Sequence, residues 1–178
     1  MLAEQNIQIL HTLRDIIDQL DNVEYTATEA PYYNSSIGAH TRHVLDHYSM
    51  FIAGLKIGTV DYEKRCRNPA LENCRDHAKL AIDHMTEQLQ QLPDTNTPIR
   101  ATLNITLSGD TPAQASTIGR ELTFLYSHTT HHYSLIALIM RLMNKQVPCN
   151  MGYAPATLKH QNDLKYQNET TREETCAR

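Results

Sequence analysis

A long apolar stretch interrupted by histidines constrains this chain more than any other feature. Between Leu122 and Met143 the sequence is rich in leucine, isoleucine and methionine, yet it also carries His128, His131 and His132. At about 100° per residue along a helix, His128 and His132 lie one turn apart on the same face, whereas His131 is displaced by about 60° from His128. The spacing therefore predicts an inward-facing helix on which His128 and His132 can bind one atom.

A second histidine cluster lies on an earlier predicted helix. His40, His43 and His47 follow Ser36, a good N-cap residue, and the helical period brings the three rings to one side. Imidazole is a common metal ligand, so a pair on one helix facing an imidazole of another can supply three ligands. A single buried histidine is more often a hydrogen-bonded core residue. Because six of the ten histidines fall in these two stretches, the sequence favours a metal site.

Length and charge limit the remaining options. The 178 residues are enough for one domain, which we place at residues 1–158, followed by a polar, flexible tail at 159–178. A net charge of −4 and a pI near 6.2 give no basic field for nucleic acid. The start of the chain does not resemble a signal peptide, and no apolar run reaches the roughly 18 residues that span a bilayer. We therefore expect a cytoplasmic protein that binds neither nucleic acid nor membrane.

Apolar residues recur at helical spacing in four segments, at about 3–21, 36–55, 69–92 and 116–144. Residues 100–107 alternate polar and apolar side chains before a turn sequence, which is typical of a short β-hairpin. The fold class that these patterns predict is all-α: an antiparallel four-helix bundle that admits a short β-hairpin between helices three and four. The chain has no Glu-x-x-His pair, which argues against a di-iron carboxylate site.

The histidine motifs in residues 36–47 and 119–133 resemble those of the DinB-like (YfiT-like) superfamily of bacterial four-helix bundles. That family has one metal-binding histidine on helix two and a His-x-x-x-His pair on helix four. The matching residues here are His43 on helix two and the pair of His128 and His132 on helix four. The resemblance implies a divalent metal ion, zinc or nickel, held by these three side chains. The additional histidines on helix two leave the choice of its ligand open, with His43 preferred.

The resemblance also implies an activity. It indicates a metal-dependent enzyme of the thiol-S-transferase or hydrolase type, which acts on a small-molecule substrate with a low-molecular-weight thiol as cosubstrate. Asp46, His47 and His131 are the candidate catalytic residues, because each could orient an imidazole or move a proton. Members of that family commonly form homodimers, so the resemblance also suggests a homodimer here. The alternative is a non-enzymatic metal-binding or dimerisation bundle with structural histidines, which a fourth ligand from His40 or His47 would favour.

Overall fold

Long helices and a small sheet make up the fold. The computed structural model describes residues 1–106, 108–109 and 111–164. In chain order the elements are α1 (Leu2–Asp18), α2 (Asn22–Thr26), α3 (Ile37–Leu55), β1 (Thr59–Asp61), α4 (Pro69–Asn73), α5 (Arg75–Gln90), β2 (Pro98–Thr102), β3 (Gln114–Thr117), α6 (Ile118–Leu142) and a helix at 155–164, here α7. Helix α1 packs against α5 and α6, and α3 packs against the same two helices.

Side-chain caps explain where the two histidine-bearing helices begin. The Ser36 hydroxyl accepts a hydrogen bond from the Ala39 N–H at 3.0 Å, which starts α3. The Thr117 hydroxyl accepts one from the Arg120 N–H at 3.1 Å, which starts α6. Each cap satisfies one of the N–H groups that a helix leaves unpaired in its first turn. The predicted starts of both helices are confirmed.

A buried amide joins three of the long helices inside the core. Asn6 of α1 is 1% exposed. Its Nδ2 group donates to the carbonyls of Leu2 at 2.9 Å and Leu122 at 3.1 Å. Its Oδ1 atom accepts a hydrogen bond from the Tyr48 hydroxyl of α3 at 2.6 Å. Since buried polar groups are costly without partners, this network fixes the relative positions of α1, α3 and α6.

The predicted all-α four-helix bundle is wrong, because the described residues include a three-stranded mixed sheet. Strand β1 pairs in parallel with β2, and β2 pairs antiparallel with β3. The antiparallel pair lies where the optional hairpin was expected, but β1 was missed. It has only three residues, and its partner lies about forty residues further along the chain, so its own sequence carries no alternation long enough to reveal it.

The predicted third helix is two helices. Asn68 caps α4, with Pro69 in its first turn, as expected for a helix start. Cys74 then adopts an extended conformation, with φ −137° and ψ 108°, which ends α4 before α5 begins. Leu71 of α4 packs, partly buried, against the same core that α5 faces. Apolar residues therefore keep helical spacing on both sides of the break and do not reveal it.

Short helices also occur just after the first predicted helix and at the start of the predicted flexible tail. Helix α2 is held by a capping box in which Asp21 and Glu24 accept each other's backbone N–H groups. Helix α7 spans the junction between the predicted domain and the predicted tail, and the rest of that tail, 165–178, lies outside the described residues. The domain boundary therefore stays a prediction. None of the helices described here has the length and apolar character required to cross a membrane.

Candidate metal site

Three of the predicted residues come together between α3 and α6. His43, His128 and His132 each offer one ring nitrogen, and these three atoms all lie within 4.8 Å of one another. The ring of His43 has its centroid 5.1 Å from that of His128 and 4.6 Å from that of His132. The two rings on α6 are 4.7 Å apart. Helical spacing brings the α6 pair together, and the packing of α3 against α6 supplies the third ring.

His128 carries an unsatisfied nitrogen in this cluster. Its Nε2 atom is buried and has no hydrogen-bond partner among the described residues. A buried polar atom without a partner costs free energy, so it requires an explanation, such as an ion or a water molecule. The neighbouring rings offer further nitrogens rather than an acidic or hydroxyl group, and this donor set suits a transition metal.

The histidines of the cluster are held neutral. Burial lowers the pKa of His43 to about 3, of His128 to about 4 and of His132 to about 2, and the neighbouring rings add to the effect. Burial removes water that would stabilise the imidazolium ion, and a second charged ring nearby would repel it. Metal binding needs an unprotonated nitrogen, so all three side chains are in the form that can bind an ion at neutral pH.

His40 contacts the cluster from its edge. Its Nδ1 atom lies 3.0 Å from Nδ1 of His132, so one of these nitrogens donates a hydrogen and the other accepts it. This contact uses one nitrogen of His132 and leaves its Nε2 atom as the one available to a metal ion. His40 is thereby a residue that can orient His132, as hydrogen-bond partners of metal-binding histidines commonly do.

Both ring nitrogens of His47 already have hydrogen-bond partners in the protein. Its Nδ1 atom lies 2.8 Å from the carbonyl oxygen of His43, and its Nε2 atom lies 3.0 Å from Nη1 of Arg65. A carbonyl accepts and a guanidinium donates, so Nδ1 carries the hydrogen and Nε2 accepts. Both nitrogens are occupied by protein groups, which leaves His47 as a wall of the site and not a fourth ligand.

The other two candidate catalytic residues lie apart from the three ring nitrogens. Asp46 is 4% exposed and pairs with Arg42 at 3.6 Å, and burial raises the pKa of its carboxyl group. His131 is exposed on α6, with its ring centroid 5.2 Å from that of His132. Neither belongs to the group that could hold an ion. Their catalytic roles stay predictions.

Residues that sequence reasoning missed close the other side of the cluster. Tyr62 stacks on His47 with ring centroids 5.5 Å apart, and its hydroxyl donates to Glu121 at 2.8 Å. Phe124 stacks on His128 at 5.6 Å. Tyr62 and Arg65 come from the segment after β1. That segment is rich in charged residues and contains no recognisable motif, so nothing in the sequence singles them out. Phe124 lies one turn before His128, so helical spacing would have identified it.

Comparisons with known proteins find a partial relative of this chain. No family model matches the chain. A protein from Rhizopus delemar named FK506-binding protein 5 is 34% identical over 119 residues, which cover 64% of this chain and 31% of that relative. The chain thus spans about a third of the length of the relative that it matches.

The assignment to the DinB-like superfamily is therefore wrong, and so is the activity that it implied. No family model supports it, and the similarity that was found is to a protein of a different name. The thiol-S-transferase or hydrolase activity rested on that assignment and falls with it. The physical reason is that histidines four residues apart on packed helices require only helical spacing, which unrelated helical proteins share.

Proposed function

We propose that this protein binds a divalent transition-metal ion, zinc or nickel, through His43, His128 and His132. The proposal concerns binding alone and assigns no reaction. The observation that carries it is the buried, unpaired Nε2 atom of His128 within a group of ring nitrogens that all lie within 4.8 Å of one another.

The geometry suits such an ion after small side-chain movements. A tetrahedral zinc ion with Zn–N bonds of ~2.0–2.1 Å holds its ligand nitrogens roughly 3.3 Å apart. Nitrogens already within 4.8 Å can reach that spacing by small rotations of the rings. Three protein ligands leave one position on the ion for a water molecule or another small ligand, which is the arrangement of an open site rather than a closed structural one.

Metal stoichiometry tests the proposal directly. We expect untagged protein, incubated with zinc or nickel and then freed of unbound metal, to retain about one ion per chain by mass spectrometry. The His43→Ala and His132→Ala variants should lose it. His84→Ala is the matched control, because His84 is an exposed histidine on α5 that does not belong to the cluster.

Circular dichroism of each variant separates loss of the ligand from loss of the fold. Wild-type protein that retains neither metal would refute the proposal. So would variants that fold normally and keep the ion.

A further inference from the structure

A guanidinium group lies beside the histidine cluster. Arg65 belongs to the segment between β1 and α4, and its Nη1 group donates to Nε2 of His47 at 3.0 Å. The ring of His47 has its centroid 4.2 Å from that of His128 and 4.6 Å from that of His43. The charge of Arg65 acts on both of these rings, where it contributes to lowering their pKa values. Arg65 is therefore close enough to affect any ion bound between them.

Nearby carboxylates already have other partners. Asp46 pairs with Arg42 at 3.6 Å, and the charge of Arg65 also acts on its carboxyl group. Glu121 accepts hydrogen bonds from the hydroxyls of Tyr62 and Ser116. Neither carboxylate belongs to the group of ligand atoms that lie within 4.8 Å of one another at the cluster.

Glu63, the remaining acid near His47, accepts a hydrogen bond from the Asn104 N–H at 3.2 Å. A divalent ion held by three neutral imidazoles would thus add positive charge beside the guanidinium group. Two cations in a partly buried place repel each other unless an anion balances them.

We propose that the site takes a small oxyanion, a carboxylate or a phosphate, between the histidine cluster and Arg65. The inference rests on the proposed metal site and names the ligand class of its open position. A guanidinium group has five N–H donors in a planar fork, and the described contacts show Arg65 using one of them on a side chain. The rest of the fork matches the oxygens of a carboxylate or phosphate.

Cobalt-loaded protein provides the test. Cobalt(II) commonly replaces zinc, and its visible absorption changes when its ligands change. The cobalt-loaded protein is to be titrated with acetate and, separately, with inorganic phosphate. The wild-type spectrum should change to saturation with at least one of them, and Arg65→Gln should weaken that binding by about tenfold or more, because a charge-assisted hydrogen bond is lost.

Two further variants keep the interpretation clear. Arg65→Lys retains the charge without the fork and should bind the anion with intermediate strength. Arg141→Gln removes an exposed arginine at the far end of α6 and should bind like the wild type. Metal content is measured on every sample, so that a change in anion binding is distinguished from a loss of cobalt.

The outcomes separate the two proposals. Wild-type protein that holds no metal would refute the metal site, and the oxyanion proposal with it. Protein that holds cobalt in all variants but binds the anions equally well with and without Arg65, or does not bind them at all, would overturn the oxyanion proposal alone. A response to acetate only identifies a carboxylate ligand, and a response to phosphate only identifies a phosphate.

Discussion

At the scale of single residues, the neutral histidines make the stability of the metal-free protein depend on pH. The pKa values in the folded state are about 3 for His43, 4 for His128 and 2 for His132. In the unfolded chain each histidine has a pKa of about 6.5. Below about pH 6.5 the unfolded chain therefore binds protons that the folded protein does not, so the free energy of unfolding falls as the pH falls.

Urea unfolding of metal-free protein at about pH 7.5 and pH 5 checks this expectation. The midpoint should be lower at the acidic pH. His128→Leu should reduce the difference between the two midpoints, because it removes one of the groups that titrate only in the unfolded chain. His84→Leu changes an exposed histidine instead and should leave the difference as it is. Equal wild-type midpoints at the two pH values would show that the cluster does not stay neutral in the folded protein.

At the scale of elements, close packing joins the end of α3 to the sheet. Gly54 lies in the last turn of α3, and a Cβ atom at that position would come within 2.7 Å of the Thr59 carbonyl oxygen and of Val60 Cα. Both neighbours are backbone atoms, which cannot rotate away as a flexible side chain can. The contact therefore requires glycine, although the helix alone would be more stable with alanine.

Gly54→Ala should lower the free energy of unfolding by about 1–2 kcal/mol. The clash with backbone atoms should cost about 2–3 kcal/mol, the upper part of the usual range for overpacking, against a gain of ~1 kcal/mol from helix propensity. Chemical unfolding measures the difference. The control is Ala53→Gly at the adjacent exposed position, which should cost only the propensity difference of roughly 1 kcal/mol or less. A Gly54→Ala variant as stable as the wild type would mean that β1 can move away from α3 at little cost.

The elements also show what sequence patterns can and cannot predict. Helix α3 was predicted from apolar periodicity and the capping residue Ser36, and α6 from apolar periodicity, and both are local properties of the chain. The extended backbone of Cys74 interrupts the third helix without interrupting its periodicity. Strand β1 depends on pairing with β2, and no local pattern in three residues specifies a distant partner.

The candidate site likewise has parts that the sequence predicts and parts that only the tertiary fold reveals. His43, His128 and His132 meet because the helical period places them on facing stripes, so their proximity follows from the sequence. The position of Arg65 depends on where the segment after β1 crosses α3, which is a property of the tertiary fold. For the same reason the sequence could not show that His47 uses both its nitrogens on protein groups.

At the scale of the whole molecule, a metal ion bound only by the folded state should raise stability. At a free zinc concentration of about one hundred times the dissociation constant, the free energy of unfolding should increase by ~2.7 kcal/mol. Thermal unfolding with and without zinc measures the shift, and magnesium, which prefers oxygen ligands, should produce none. In His132→Ala the zinc effect should disappear. An equal shift in that variant would place the stabilising ion elsewhere on the protein.

The sheet has a consequence for how this molecule tolerates changes in length. Strand β1 leads into the segment that carries Arg65, strand β3 leads directly into α6 with its histidine pair, and β2 lies between them. An insertion in the connection from β2 to β3 would lengthen a loop at one edge and leave the arginine and the histidines at the same separation. An insertion within β2 itself would shift one neighbouring strand past the other. Evolution and protein engineering therefore have freedom in that loop which they lack in the five residues that precede it.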